Sequence, residues 1–457
     1  MRIAIIGGGP GGYVAALRAS ILGAEVTLIE KNNVGGTCLN YGCIPTKALL
    51  QSANMLDTVN NAGMFGIEPS LTAKASFDKV MSRKDAVVGQ LVSGIEFLLK
   101  KRNVKRIRGV GKLISNQSVE VLYEDNQSEV ITADNIILAT GSVPDVPKML
   151  LYDGDCIITS DEALNLKSTP NSTIILGGGV IGCELGQFFS KMGSKVTIIE
   201  KEKHILPLED EDISDVLHNQ LETENVSILP GTKLESIIKE NNTVKASLSN
   251  GETIHADCLL VTIGRKSNYD GIGVDEIGIK TKNGRILVNE KMETSIPGIY
   301  AIGDIVPSPQ LAHVASKEGI VAVENIFGNY KKMDYKAIPR CIYTDPEIAA
   351  VGLTEREATE RGIKYKLGRF RFADLGKSVV MGKTKGFVKI IADEEDCVIG
   401  GAIVGSNAVD LLNAINLAVQ LGLTVQQLGD AVYPHPSQSE ALLEALHDVH
   451  GVSVHSY

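Results

Sequence analysis

The sequence predicts an α/β fold built from two Rossmann-like dinucleotide-binding domains and a smaller C-terminal α+β domain. Three observations lead there. The succession strand, G-x-G-x-x-G, helix, strand, acidic residue occurs twice, and it spans 23 residues from first glycine to acid in each copy, Gly7 to Glu30 and Gly177 to Glu200. At 457 residues the chain is too long for a single core and predicts about three domains. After about residue 340 the texture changes to consecutive alternating strands followed by helical runs.

The first copy begins with the apolar run Ile3-Ala4-Ile5-Ile6, enters Gly7-Gly8-Gly9-Pro10-Gly11-Gly12, continues as a helical pattern to Leu22-Gly23, and ends on the strand Glu25 to Glu30. Gly7 and Gly9 allow a tight turn and close approach of a pyrophosphate. Gly12 lets helix and sheet pack, and the helix N-terminus faces the negative charge. Glu30 is placed to accept from a ribose hydroxyl. The second copy, Thr173 to Glu200, repeats this with Gly177, Gly179 and Gly182. Two such units 170 residues apart predict two bound dinucleotides; the alternative is that one copy is a decayed duplicate. Glu200 repels a 2′-phosphate and no arginine follows within several residues, although Lys201 and Lys203 do, so NAD is favoured over NADP.

Between the units lies Gly35-Gly36-Thr37-Cys38-Leu39-Asn40-Tyr41-Gly42-Cys43-Ile44-Pro45-Thr46-Lys47. In a regular helix, residues five apart have Cα atoms roughly 8.6 Å from one another. A disulfide tolerates at most about 6.8 Å. A redox-active Cys38–Cys43 pair therefore requires a distorted turn, which Gly42 and Pro45 permit. Two buried reduced thiols, or half of a metal site, are the alternatives.

The rest of the chain is organised around these features. A helix covers Phe77 to Lys101, a small meander follows Arg108, and the apolar strand Ile136 to Ala139 ends in Thr140-Gly141-Ser142. Leu259 to Ile263, ending in Gly264-Arg265, is its counterpart after the second unit. These exits place domains at 1–145, 146–270, 271–340 (a return to the first domain) and 341–457. Further on come a buried strand ending in Gly303-Asp304 and a helix opening at Leu311-Ala312-His313. Strands at 386–391 and 398–404 and helices at 408–421 and 440–447 complete the C-terminal part.

Apolar and charged fractions of 44% and 22% are those of a globular protein without a membrane span, and the net charge of −10 argues against a nucleic-acid partner. Seven cysteines in so long a chain are not a secreted disulfide framework, and Met1-Arg2 runs straight into a strand, so a reducing cytoplasm is expected. No metal centre is expected. Near the end, Pro434 and Pro436 hold His435 in a non-helical segment, and Glu440 is placed to orient its imidazole. The competing reading makes Ser437 to Glu440 a capping box.

The segment Gly35 to Lys47, two dinucleotide units, Ala301-Ile302-Gly303-Asp304, and His435-Pro436 followed by Ser439-Glu440 together resemble the pyridine nucleotide-disulfide oxidoreductases, and in particular the branch that oxidises a dihydrolipoyl dithiol. The resemblance covers nearly the whole chain. It implies FAD in the first unit, NAD in the second, and a homodimer made through the C-terminal dimerisation domain, in which His435 serves the other subunit. It implies that Cys38 is the interchange thiol and that Cys43 makes the charge-transfer contact with the flavin. Lys47 and Glu184 are then an ion pair beside the flavin, rather than two helix-surface charges. Asp304 lies at the ribityl chain, Ala312 lines the flavin, and Gly111 lies at the adenine end; Gly36, Thr37, Thr140, Gly141 and Gly264 complete the cofactor contacts. The implied partner is the lipoyl domain of a 2-oxoacid dehydrogenase acyltransferase or a glycine-cleavage carrier protein. Tyr41 and Tyr433-Pro434 depart from the pattern and bear on substrate fit. Rival readings are a reductase of glutathione or a related small thiol, a mercuric-ion reductase (disfavoured because no cysteine follows Cys397), and a structural docking subunit.

Overall fold

The computed structural model describes residues 1–68 and 72–455. Its first sheet is wholly parallel, in the order Ile299–Ala301, Asn135–Leu138, Arg2–Ile6, Glu25–Glu30, Lys105–Arg108. Arg2–Ile6 sits centrally, with its sequence successor on one side and Asn135–Leu138 on the other. The crevice beyond its C-terminal end is therefore the switch point at which open α/β sheets bind ligands. The second sheet repeats the arrangement around Ser172–Leu176, flanked by Lys195–Ile199 and Cys258–Val261. The central strands are buried on both faces, which is why they read as nearly continuous apolar runs.

The glycine fingerprint has a direct steric reading. Gly7 and Gly177 adopt φ of +106° and +109°, and a Cβ at Gly7 would lie 2.2 Å from the Ala139 carbonyl oxygen. At Gly12 and Gly182 a Cβ would fall 1.8 and 2.0 Å from the Gly7 and Gly177 carbonyl oxygens, so only glycine brings each helix against its strand. Helices Pro10–Ile21 and Val180–Lys191 follow.

Antiparallel meanders accompany both sheets, at Val110–Ser115 to Ser128–Thr132 and at Leu234–Glu240 to Thr253–Ala256. The chain passes between the two sheets along a short ribbon in which Ser142–Pro144 pairs with Arg265–Ser267. The C-terminal part is a five-stranded antiparallel sheet, in the order Arg340–Ile342, Glu347–Gly352, Val398–Gly405, Phe387–Asp393, Tyr365–Arg371. Helices Ala408–Leu421 and Glu440–Asp448 share its core. Among the described residues no helix is long and apolar enough to cross a membrane.

Lys389, fully buried, ties this sheet to the second nucleotide-binding unit. Its ammonium lies 2.8 Å from Asp210, 3.0 Å from Asp212 and 2.6 Å from Glu355, occupying the one cluster of carboxylates in the described residues close enough to hold a metal ion. Burial raises the Asp210 carboxyl, but Lys389 and the Glu355 and Arg356 amides outweigh it and hold it below the usual range. Lys389→Met leaves three carboxylates facing one another with Arg369, on Asp212, as the remaining cation, and is expected to destabilise the protein by about 3 kcal/mol in denaturant titrations at neutral pH. Because the Asp210 value is depressed in the folded state, the wild type loses this contribution as pH falls below the ordinary aspartate value of about 3.9. The difference between the two proteins should therefore narrow in acid.

Candidate active site

The cysteine segment does not form one distorted helix. It forms two, Gly36–Asn40 and Cys43–Asn60, separated by Tyr41 and by Gly42 at φ −152°, ψ −112°. The break replaces the regular i,i+5 geometry and brings the two sulfurs together. Both thiols are unbridged and hydrogen-bonded to each other. The pair is asymmetric. The hydrogen bond to Cys43, together with burial, pushes the Cys38 thiol far up. The same hydrogen bond, with help from Lys47 and against burial and Glu184, lowers Cys43 to about 7. A thiolate in this site therefore resides on Cys43, with Cys38 donating to it.

Lys47 lies one turn beyond Cys43. Its Nζ donates to both Glu184 oxygens, at 2.9 and 2.8 Å, and lies 4.5 Å from the centre of the Tyr343 ring. Glu184 projects from the second glycine-motif helix, is nearly fully buried, and also accepts from the Tyr343 amide at 2.9 Å. These are not two helix-surface charges: one ion pair joins the cysteine helix, the second nucleotide unit and the start of the C-terminal sheet.

All of this opens on one cavity of about 1760 Å³ running from one glycine motif to the other. Its wall includes Gly7, Gly9, Glu30, Gly36, Thr37, Cys38, Cys43, Lys47, Gly111, Thr140, Gly141, Asp304 and Ala312 on the first side. Gly179, Glu184 and Gly264 lie on the second. Gly12, Gly177 and Gly182 stand behind the wall, as their packing role requires. Glu30 accepts from the Gly8 amide at 2.6 Å and the Asn32 amide at 2.7 Å. Glu200 does the same with Gly178 at 2.7 Å and Glu202 at 2.8 Å, but its carboxylate is turned onto its own loop and does not reach the wall.

The cavity suits dinucleotides on its own chemistry. Neither glycine-motif helix carries a side-chain cap or an acidic residue in its first turn, so the positive helix ends are left for an anion. Thr140 Oγ1 is buried in the wall without a hydrogen-bond partner. Asp304 Oδ2 accepts from Ser142 Oγ at 2.5 Å, and that hydroxyl in turn accepts from Arg265 Nε at 2.8 Å. Arg265 and Tyr343 are participants that sequence reasoning missed. Only the arginine directly after the Gly264 turn hinted at the first.

His435 stands apart from this cavity. Its side chain is 82% exposed, and Nδ1 lies 2.8 Å from Glu440 Oε1. Glu440 Oε2 accepts from the Ser437 amide at 2.8 Å, so one carboxylate serves imidazole and backbone together. The capping-box reading is corrected on one point. The helix starts at Glu440 itself, and Ser437 Oγ bonds Ser439 Oγ at 2.7 Å instead of capping.

Since Lys47 helps hold the Cys43 thiolate, Lys47→Met is expected to raise the Cys43 pKa by about one unit. The pH dependence of iodoacetamide alkylation of the reduced protein would show it, as a several-fold slower reaction at pH 7.

Residues 1–319 match the family described as pyridine nucleotide-disulphide oxidoreductase, and residues 338–446 match its dimerisation domain. A dihydrolipoyl dehydrogenase of Bacillus subtilis is 40% identical over 99% of this chain and 98% of its own length. One from Chlorobaculum parvum is 42% identical over 97% and 96%, respectively. Among solved structures, LpdA from Mycobacterium tuberculosis superposes with a TM-score of 0.92 at 28% identity, covering 98% of this chain and 99% of that one. The HOCl-induced flavoprotein disulfide reductase RclA from Escherichia coli gives 0.88 at 28%, covering 97% and 98%. With its fold, its two nucleotide clefts and its paired thiols, the chain belongs to the pyridine nucleotide-disulphide oxidoreductases.

Proposed function

We propose that this FAD- and NAD-dependent oxidoreductase acts as a dihydrolipoyl dehydrogenase, converting a protein-bound dihydrolipoyl dithiol to the disulfide while NAD is reduced. The observation that carries the reading is the pair of unbridged thiols, Cys38 and Cys43, set beside the Lys47–Glu184 ion pair on the cavity that runs between the two glycine motifs. Full-length relatives of that activity support it. The physiological substrate is a lipoyl domain of an acyltransferase or glycine-cleavage carrier protein, and the working unit is a homodimer formed through residues 338–446.

In the oxidised enzyme a Cys38–Cys43 disulfide receives the substrate. His435 of one subunit, oriented by Glu440, takes a proton from one substrate thiol at the other subunit's disulfide. The resulting thiolate attacks Cys38 Sγ, forming a mixed disulfide as the Cys38–Cys43 bond breaks and Cys43 leaves with the electron pair. The second substrate thiol, losing its proton, then displaces Cys38. The cyclic disulfide is released, and Cys38 and Cys43 hold the two electrons. Bound flavin supplies two-electron transfer from the Cys43 thiolate onward to NAD as hydride. Lys47 holds the negative charge on Cys43 and Glu184 holds Lys47. Glu30, Thr140 and Asp304 would hold the first cofactor and Gly179 and Gly264 would admit the second, with Glu200 bracing the loop beside it. Division of the chain at about 145, 270 and 340 belongs to the same reading, supported by the paired crossing strands at 142–144 and 265–267.

Cys38→Ser is expected to abolish dihydrolipoamide oxidation while NADH still bleaches the flavin in an anaerobic titration. Retention of full dithiol turnover would overturn the assignment. His435→Asn should lower kcat for dihydrolipoamide by about 10²–10⁴ without changing the flavin spectrum. Parallel titration with NADPH and glutathione separates this function from a small-thiol reductase.

A further inference from the structure

Glu318, on the Ala312–Ile326 helix, is wholly out of water. Burial, and to a lesser degree Asp304, push its carboxyl up, and hydrogen bonds rather than a cation oppose this. Its two oxygens serve two separate parts of the chain. Oε2 accepts from the Gly303 amide at 2.6 Å, and Oε1 accepts from the Tyr335 hydroxyl at 2.7 Å.

The first contact holds a piece of the cavity wall. Gly303, at φ +73°, opens the Gly303–Ile305 turn, which presents Asp304 to the cavity. Ser267 Oγ donates to the Asp304 carbonyl at 2.9 Å, and Arg285 donates to the same oxygen. Glu318 is the acceptor on the amide side of that turn. The second contact reaches the linker that leads into the C-terminal sheet. Tyr335, Lys336 and Ile338 line the same cavity as Asp304, and His313 Nε2 lies 3.1 Å from the Pro339 carbonyl oxygen. Residues 335–339 are therefore fastened to the helix at two points and run along the cavity as a strap.

We propose that Glu318 is a positioning residue for FAD: it ties the Asp304 turn to the 335–339 strap, so that retention of the first cofactor depends on the segment leading into the dimerisation domain. The inference rests on FAD occupying the first cleft. Because one buried carboxyl serves both donors, displacing the strap strands an oxygen without a partner, which is costly, and the turn is loosened with it. By the same linkage, whatever holds the strap in place tightens FAD.

The test is FAD affinity, measured by stripping the full-length protein and titrating FAD back while following the quenching of flavin fluorescence. Tyr335 is 41% exposed, so Tyr335→Phe removes the donor without opening a core. It should weaken FAD binding about tenfold. Glu318→Leu removes both contacts and should weaken it about a hundredfold. Adding Tyr335→Phe to Glu318→Leu should cost nothing more, because the hydroxyl acts through the carboxyl. Glu318→Gln can still accept from the Gly303 amide and donate to the Tyr335 oxygen, and should stay within about threefold of wild type. A role confined to stability would lower the melting temperatures of the stripped and FAD-loaded proteins equally and leave affinity unchanged. Where Glu318→Leu does not fold, Tyr335→Phe and Glu318→Gln decide. Wild-type affinity in Tyr335→Phe, or a larger loss in Glu318→Gln than in Tyr335→Phe, overturns the inference while leaving FAD in its cleft. A wild-type protein that takes up no FAD overturns the cofactor assignment and this inference together.

Discussion

The contact between Lys47 and Glu184 holds three separately folded parts of the chain at one point. Glu184 is almost entirely out of water, and a lone carboxylate there would be strongly unfavourable; it is stable because an ammonium and the Tyr343 amide both reach it. The lysine comes from the cysteine helix, the glutamate from the second nucleotide unit and the amide from the C-terminal sheet. Satisfying one buried charge therefore fixes where the thiols sit relative to both glycine motifs. The same two charges act with opposite sign on Cys43, Lys47 favouring its thiolate and Glu184 opposing it. The protonation of Cys43 is thus coupled to the contact that assembles the site.

A division of labour follows from the geometry. The paired thiols and both glycine motifs share one cavity, to whose wall all three parts of the chain contribute, whereas the His435 imidazole is displayed outward from the C-terminal part. The proposed step between subunits gives a physical reason for a fold of this kind to carry a dimerisation domain.

Much of this was legible in the sequence because the deciding constraints are local. Gly7, Gly12, Gly177 and Gly182 occupy places where any Cβ collides with backbone, so the motif records a steric fact. The helices Phe77–Lys101 and Ala408–Leu421 fall on the predicted residues because their periodicity is long and uninterrupted. The break between the cysteines was harder to see: Gly42 signals distortion, but not that the helix divides in two. Tyr343 and Lys389 were out of reach, and Arg265 nearly so, since each meets a partner 123 or more residues away. The dual role of Glu440 was equally hidden, because imidazole and backbone amide make the same demand on a sequence and only coordinates show one carboxylate meeting both.

The carboxylates that end the two glycine units are each clasped by two main-chain amides, Glu30 by Gly8 and Asn32, Glu200 by Gly178 and Glu202. They act as splints for their own loops. Exchanging Glu200 for a small neutral residue to admit a phosphorylated ribose would leave two amides without acceptors and loosen the turn meant to receive the new cofactor. Coenzyme preference in this scaffold is therefore a property of a whole loop, and re-engineering it requires replacing 200–205 as a block.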